Sequence, residues 1–196
     1  VLFAMLHVIL CERDWRAVCD VPFLERMTSS PYLVGPGGCY LRDPETKKPL
    51  VWDLDRERAV PFDDPKCRRP ALTGEHIAAG IEVGADGASR SVSERVRPAF
   101  ALLLEHIRPY TPEWAADITG IPAATIRKLA HEMGVIARDE TIELPIAWTD
   151  VWGKEHEAVT GNPVAFHAMR GLAAHSNGFQ TIRALAILMS LLGTID

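Results

Sequence analysis

The chain has 196 residues, 47% of them apolar, and a net charge of −5. That balance suits a globular protein with a sizeable core, and it argues against disorder and against a generalised electrostatic surface for nucleic acid or anionic lipid. Arg68, Arg69 and the Arg127–Lys128 pair are too scattered to make one basic patch.

Residues 1–13 read as a buried helix, with Leu2, Met5, Leu6, Ile9 and Leu10 at helical spacing and charge arriving only at Glu12, Arg13 and Asp14. A short second helix is predicted at 21–27, with Pro22 in its first turn. The four cysteines, Cys11, Cys19, Cys39 and Cys67, stand 8, 20 and 28 residues apart. Without a Cys-x-x-Cys pair they give no zinc ribbon or cluster site, and they read as free buried thiols.

From Ser29 to about Arg97 prolines and glycines recur, as in "SSPYLVGPGGCY" and "PFDDPKCRRP". Short strand-like pieces at Tyr40–Arg42, Pro49–Asp53 and Gly80–Val83 make this an excursion of loops and β-hairpins, with Pro44 to Lys48 as one turn.

Helical order returns with Pro98 in a first turn, Phe100, Leu103, Leu104 and Ile107 on one face, and Pro109 as the stop. In "YTPEWAADITGIPAATIRKLAHEMG", Thr111 caps a helix that starts at Pro112, and a turn follows at Thr119–Gly120. Pro122 then opens a second helix, which Gly134 is expected to close.

Next come two strand candidates, "TIELPIAW" and residues 163–169, "PVAFHAM", with a polar loop or hairpin between them. Arg170, Gly171, His175, Ser176, Asn177 and Gly178 then lead into an almost wholly apolar final helix ended by Gly193. The chain divides by composition into a helical start at 1–28, a loop and hairpin excursion at 29–96, and an α/β region at 97–196. Val1 is not an initiator methionine, and a C-capping glycine should lead onward, so the expectation is part of a longer protein.

Three constellations carry candidate chemistry. The 112–134 pair resembles a DNA-reading helix-turn-helix, but it offers only Arg127, Lys128 and His131 as polar reach and has no basic arm. A non-enzymatic nucleic-acid or protein binding module built on that pair is the alternative reading. His156, His167 and His175 lack the H-E-x-x-H spacing of a metal site. The third is the polar knot at 170–178. Asn177 or Ser176 can cap the last helix, with Gln180 completing a capping-box-like pair. A helix N-terminus also offers free N–H groups, Gly171 and Gly178 permit close approach, and Arg170 adds a fork of donors. At a strand end, that is a place for a phosphate, a carboxylate or a polar heterocycle, although the G-x-G-x-x-G fingerprint is absent.

"YTPEWAADITGIPAATIRKLAHEMG" and "FHAMRGLAAHSNGFQTIRALAILMSLLGTID" together resemble the catalytic subunit of molybdopterin oxidoreductases of the dimethyl sulfoxide reductase type. The opening "VLFAMLHVIL" is similar to a helix of the same family. The phrases "HAMRG…AHSNGFQT" and "SPYLV…RDPET…PLVWD" are most similar to the sulfite-oxidising and thiosulfate or polysulfide reductase-like group.

The resemblance implies an α/β, Rossmann-like cofactor-binding region with a Pro/Gly-rich β-hairpin insertion. It implies molybdenum held by bis(molybdopterin guanine dinucleotide), a [4Fe–4S] cluster elsewhere in the full-length protein, and redox chemistry on a small anionic sulfur oxyanion such as sulfite, thiosulfate, tetrathionate or polysulfide. Electrons would pass to an iron–sulfur partner subunit. A membrane-anchor subunit is the further partner implied, and nucleic acid is not one. The compartment, cytoplasmic or periplasmic, stays open. The resemblance places Arg170, Gly171, His175, Ser176, Asn177 and Gly178 beside the pterin and the substrate funnel. It puts the molybdenum and cluster ligands outside these residues, so this stretch alone would be inactive.

Overall fold

The structure is a computed structural model that describes residues 1–194; Ile195 and Asp196, the close of the motif ending "GTID", lie outside the described residues. It is mixed helix and sheet, as expected at that level, and divides into two compact units, Val1–Asp20 with Ile107–Asp196, and Val21–His106.

In the first unit α1 (Leu2–Cys11) is apolar nearly all round, and a helix of that kind must be enclosed. Ala4, Met5, Leu6, Val8, Ile9 and Leu10 are buried. Around it pack α5 (Pro112–Thr119), α6 (Ala123–Asp139) and α8 (Gly178–Leu192). Thr111 caps α5 as expected, its hydroxyl accepting from the Trp114 N–H at 3.2 Å. A short α2 (Trp15–Val18), capped by Asp14, was not legible in the periodicity. Cys19 beside it is buried, and burial pushes its thiol up to about 12, whereas Cys11 is exposed and departs from the buried-thiol expectation.

Two expectations in this unit are corrected. α6 does not end at Gly134 but runs on to Asp139. A Cβ at Gly134 would stand 2.8 Å from Cγ1 of Val18, so this glycine lets α2 and α6 approach closely rather than stopping the helix. Residues 163–169 form no strand and pair with no strand among the described residues. Alternation supplies a pattern but not a neighbour to hydrogen-bond, and Pro163, Ala165 and Ala168 are weak strand formers. Residues 141–161 instead form two short antiparallel pairs, β6 (Ile142–Leu144) with β9 (Val159–Gly161) and β7 (Trp148–Thr149) with β8 (Glu155–His156).

The second unit starts with α3 (Val21–Met27), ends in α4 (Ala99–Ile107), whose last residue falls in the first unit, and is otherwise antiparallel. β1 (Leu33–Val34), β5 (Ser89–Pro98) and β4 (His76–Val83) form a sheet in the order β1-β5-β4, and β2 (Leu50–Asp53) pairs with β3 (Arg58–Pro61). Leu33, Leu41, Leu50, Ala78, Val92 and Val96 form its core. The turn after Arg42 is closed by the Asp43 N–H donating to the Lys48 carbonyl at 2.9 Å.

Two buried carboxylates organise the loops here. Glu82 accepts from the N–H groups of Gly37 and Cys39 at 3.1 Å and pairs with Arg90 at 2.7 Å. A Cβ at Gly35 or Gly37 would fall 2.6 or 2.7 Å from that carboxylate, which explains the first two glycines of "GPGG", and the third, Gly38, takes a left-handed φ of +78°. Burial alone would raise the Glu82 carboxyl, but Arg90 and the two N–H donors outweigh it and hold it below the usual range. Asp53 does the same for the β2–β3 turn, accepting from the Asp55 N–H at 2.9 Å and pairing with Arg56. Every strand pairing among the described residues is antiparallel.

Candidate functional site

The polar knot folds as a helix–turn–helix corner. Arg170 and Gly171 lie on α7 (Arg170–Ala173), His175, Ser176 and Asn177 form the turn, and Gly178 begins α8. The corner follows unpaired chain rather than a strand end, since 163–169 is not a strand.

The expected side-chain cap is absent. Asn177 occupies the N-cap position, but its side chain accepts no hydrogen bond from the helix, and Gln180 accepts from Arg183 at 3.1 Å instead of reaching back. The turn is held from within. The Asn177 N–H donates to Nδ1 of His175 at 3.2 Å, and the Gly178 N–H donates to the His175 carbonyl at 2.9 Å. The Asn177 carbonyl accepts from both the N–H and the hydroxyl of Thr181 at 3.0 Å. Gly178 is buried against α7, where a Cβ would strike the Ala173 carbonyl oxygen at 1.9 Å, so only glycine fits.

This geometry leaves a set of donors outward. Arg170, His175, Ser176 and Asn177 are all exposed. Among the described residues, no hydrogen bond occupies the side chains of Arg170, Ser176 or Asn177, and the N–H groups of Phe179 and Gln180 have no backbone acceptor. With Nδ1 accepting, a neutral His175 carries its proton on Nε2, one more donor. A guanidinium, an amide, an imidazole N–H and the positive end of a 15-residue helix suit the oxygens of a phosphate, a carboxylate or a polar heterocycle. His175, Asn177 and Gly178 are brought into direct contact, whereas Arg170 and Gly171 stand one short helix away.

Two participants were missed in the sequence: Thr181, which anchors the turn, and the exposed Phe179, with Arg183 at 5.8 Å over its ring. The spacing of four between Phe179 and Arg183 was the available signal for the second.

The other constellations are otherwise engaged. Arg127 is held by Glu12 at 2.8 Å and by both oxygens of Glu113, and the hydrogen bond from Arg127 draws the Glu113 carboxyl down to about 2. Lys128 lies 3.7 Å from Glu132. The cations of the supposed recognition helix are therefore facing carboxylates rather than standing free for phosphates. His156 contacts Asp150 at 3.1 Å and stacks on Trp148 at 4.6 Å. Among the described residues no group of three or more His, Cys, Asp or Glu side chains is placed to hold a metal ion, and no helix is long and apolar enough to cross a membrane.

The chain is similar to a sulfite dehydrogenase. Over 154 residues, 79% of its length, it is 59% identical to a sulfite dehydrogenase subunit of Allochromatium vinosum (strain ATCC 17899 / DSM 180 / NBRC 103801 / NCIMB 10441 / D). Over 113 residues, 52% of its length, it is 33% identical to "Probable dimethyl sulfoxide reductase chain YnfF" of Escherichia coli (strain K12). The matched stretches make up 14% and 11% of those proteins, so the chain spans a small part of the length of the relatives it matches. No protein-family model matches it.

Proposed function

We propose that this chain is part of the catalytic subunit of a molybdenum oxidoreductase acting on a sulfur compound, within a multi-subunit enzyme. The observation that carries the reading is the 59% identity over 154 residues to one subunit of a sulfite dehydrogenase. The finer proposal is a cofactor-binding region that contributes one wall to a bis(molybdopterin guanine dinucleotide) site, with a [4Fe–4S] cluster elsewhere in the polypeptide and an iron–sulfur partner receiving electrons. Its substrate is a sulfur oxyanion, sulfite first.

The donors at the corner suit such a group, because pterin and pyrophosphate edges present oxygen and ring-nitrogen acceptors. When bound, the molybdenum cofactor supplies the redox chemistry of the reaction. The contribution of this chain is to bind and orient. Asn177 and the N–H groups at the start of α8 hold cofactor oxygens, His175 fixes the Asn177 backbone through Nδ1 while offering Nε2–H, and Arg170 draws an anionic substrate by charge. Thr181 and the tight Gly178–Ala173 contact keep these donors in place without touching a ligand.

The test is an assay of the complete enzyme with sulfite, thiosulfate, tetrathionate and polysulfide. Turnover highest with sulfite supports the proposal; no turnover of any sulfur compound by molybdenum-loaded enzyme overturns it.

A further inference from the structure

Residues 141–161 form a two-stranded arm with no third strand among the described residues. In "TIELPIAW" the apolar residues Ile142, Leu144, Ile146 and Trp148 recur at every second position, and the Ile146 N–H donates to the Leu144 carbonyl at 2.7 Å, a tight turn at Pro145 that separates β6 from β7. Leu144 pairs with Val159 across the first ladder and Trp148 with His156 across the second, so each pair shares a face of its own ladder. Ile142, Leu144, Ile146, Trp148 and Val159 are between 36% and 54% exposed. A lone two-stranded pair is marginal in water, and one that presents these large apolar side chains to solvent is an unfinished layer.

The tip of the arm is shaped rather than loose. The Asp150 carboxylate accepts from the N–H groups of Trp152 and Lys154, each at 2.9 Å, and contacts His156 at 3.1 Å. Gly153 takes the left-handed conformation at φ +83° that lets the turn close. Trp148 bridges the two ladders, its Nε1–H donating to the Ala158 carbonyl at 3.1 Å. This frame holds out Val151 and Trp152, which are 89% and 88% exposed. Tryptophan on a fixed turn is the type of residue that anchors a packed interface, because the backbone is already ordered and the large ring turns about only two side-chain bonds.

We infer that this arm is a wedge whose exposed apolar side chains and Val151–Trp152 tip pack into an apolar layer supplied by the remainder of the same polypeptide. The inference rests on the proposed function in one respect, that the chain belongs to a much longer catalytic subunit. The relatives point to that occupant, since the matched stretch is 14% of the Allochromatium protein and the rest of such a polypeptide is ample to cover the arm. A partner subunit and bulk solvent are the competing occupants.

The experiment is hydroxyl-radical oxidation of the full-length catalytic subunit, purified once without partner subunits and once in the assembled enzyme, with modification at Trp148 and Trp152 read by mass spectrometry. Oxidation at both residues in the isolated, folded subunit falls about tenfold or more below that of the denatured protein, as expected for side chains sealed by close packing. Oxidation at the denatured level in the isolated subunit, whether or not assembly then protects it, overturns the inference. Molybdenum content of the same samples reports separately on the function: protection in a metal-free subunit upholds the wedge and removes the proposed chemistry, and exposure in a molybdenum-loaded one does the reverse.

Discussion

The backbone N–H of Asn177 donates to Nδ1 of His175 at 3.2 Å, so a side chain two residues back holds the peptide that begins α8. The Asn177 side chain, free of the usual capping duty, is thereby left outward beside two unpaired N–H groups. The same residues could have satisfied the helix end locally; instead they leave their donors outward, as the proposed cofactor role requires.

If these donors hold the cofactor and substrate, Arg170→Ala, His175→Ala and Asn177→Ala in the complete enzyme each lower molybdenum content or turnover by about tenfold or more, the worth of one hydrogen bond to a charged group at about 1.5–3 kcal/mol. Unfolding stability moves by no more than about 0.5 kcal/mol in the Arg170 and Asn177 variants, as for other exposed positions, and by about 1 kcal/mol in His175→Ala, which also loses the hydrogen bond from the Asn177 N–H. Metal analysis, steady-state kinetics and thermal unfolding check this together. Unchanged occupancy and kinetics in all three variants would reduce the corner to a structural turn.

At the α2–α6 contact, Gly134→Val forces apart helices that meet where a Cβ would stand 2.8 Å from Val18. Overpacking of this kind costs about 1–3 kcal/mol. Val18→Ala in the same chain recovers part of the loss by emptying the space that Gly134 keeps open. Thermal unfolding of the single and double variants measures it, and equal losses in both would refute the contact.

The Glu82 carboxyl is held below its ordinary range, so its contribution is full above the unfolded value of about 4.3 and is lost as pH falls through the lower folded value. Hydrogen exchange at the Gly37 and Cys39 amides should therefore accelerate under acid conditions beyond the intrinsic trend. Glu82→Gln leaves Arg90 without its counter-charge and abolishes that acid dependence, at a cost of about 1–3 kcal/mol at neutral pH. An acid response that persists in the variant would assign it elsewhere.

Local signals made the helices legible. Thr111 with Pro112, the spacing in "VLFAMLHVIL" and the final Gly193 each act through neighbours within a turn. Gly134 misled because a glycine that ends a helix and one that admits a neighbouring helix look alike until Val18 is in place. Residues 163–169 misled because strands are completed by partners that alternation does not name. Glu82 was invisible for a related reason, since its donors lie 45 and 43 residues away. At the candidate site the residues themselves were legible as a polar knot before an apolar helix. The division of labour was not: which side chain caps, which fixes the backbone and which faces outward depends on the turn between α7 and α8.

The most direct test of the central claim is elemental and nucleotide analysis of the purified complete protein. The account predicts stoichiometric molybdenum and guanine nucleotide released on denaturation. A correctly folded complete protein containing neither, from cells competent to make the cofactor, would contradict it.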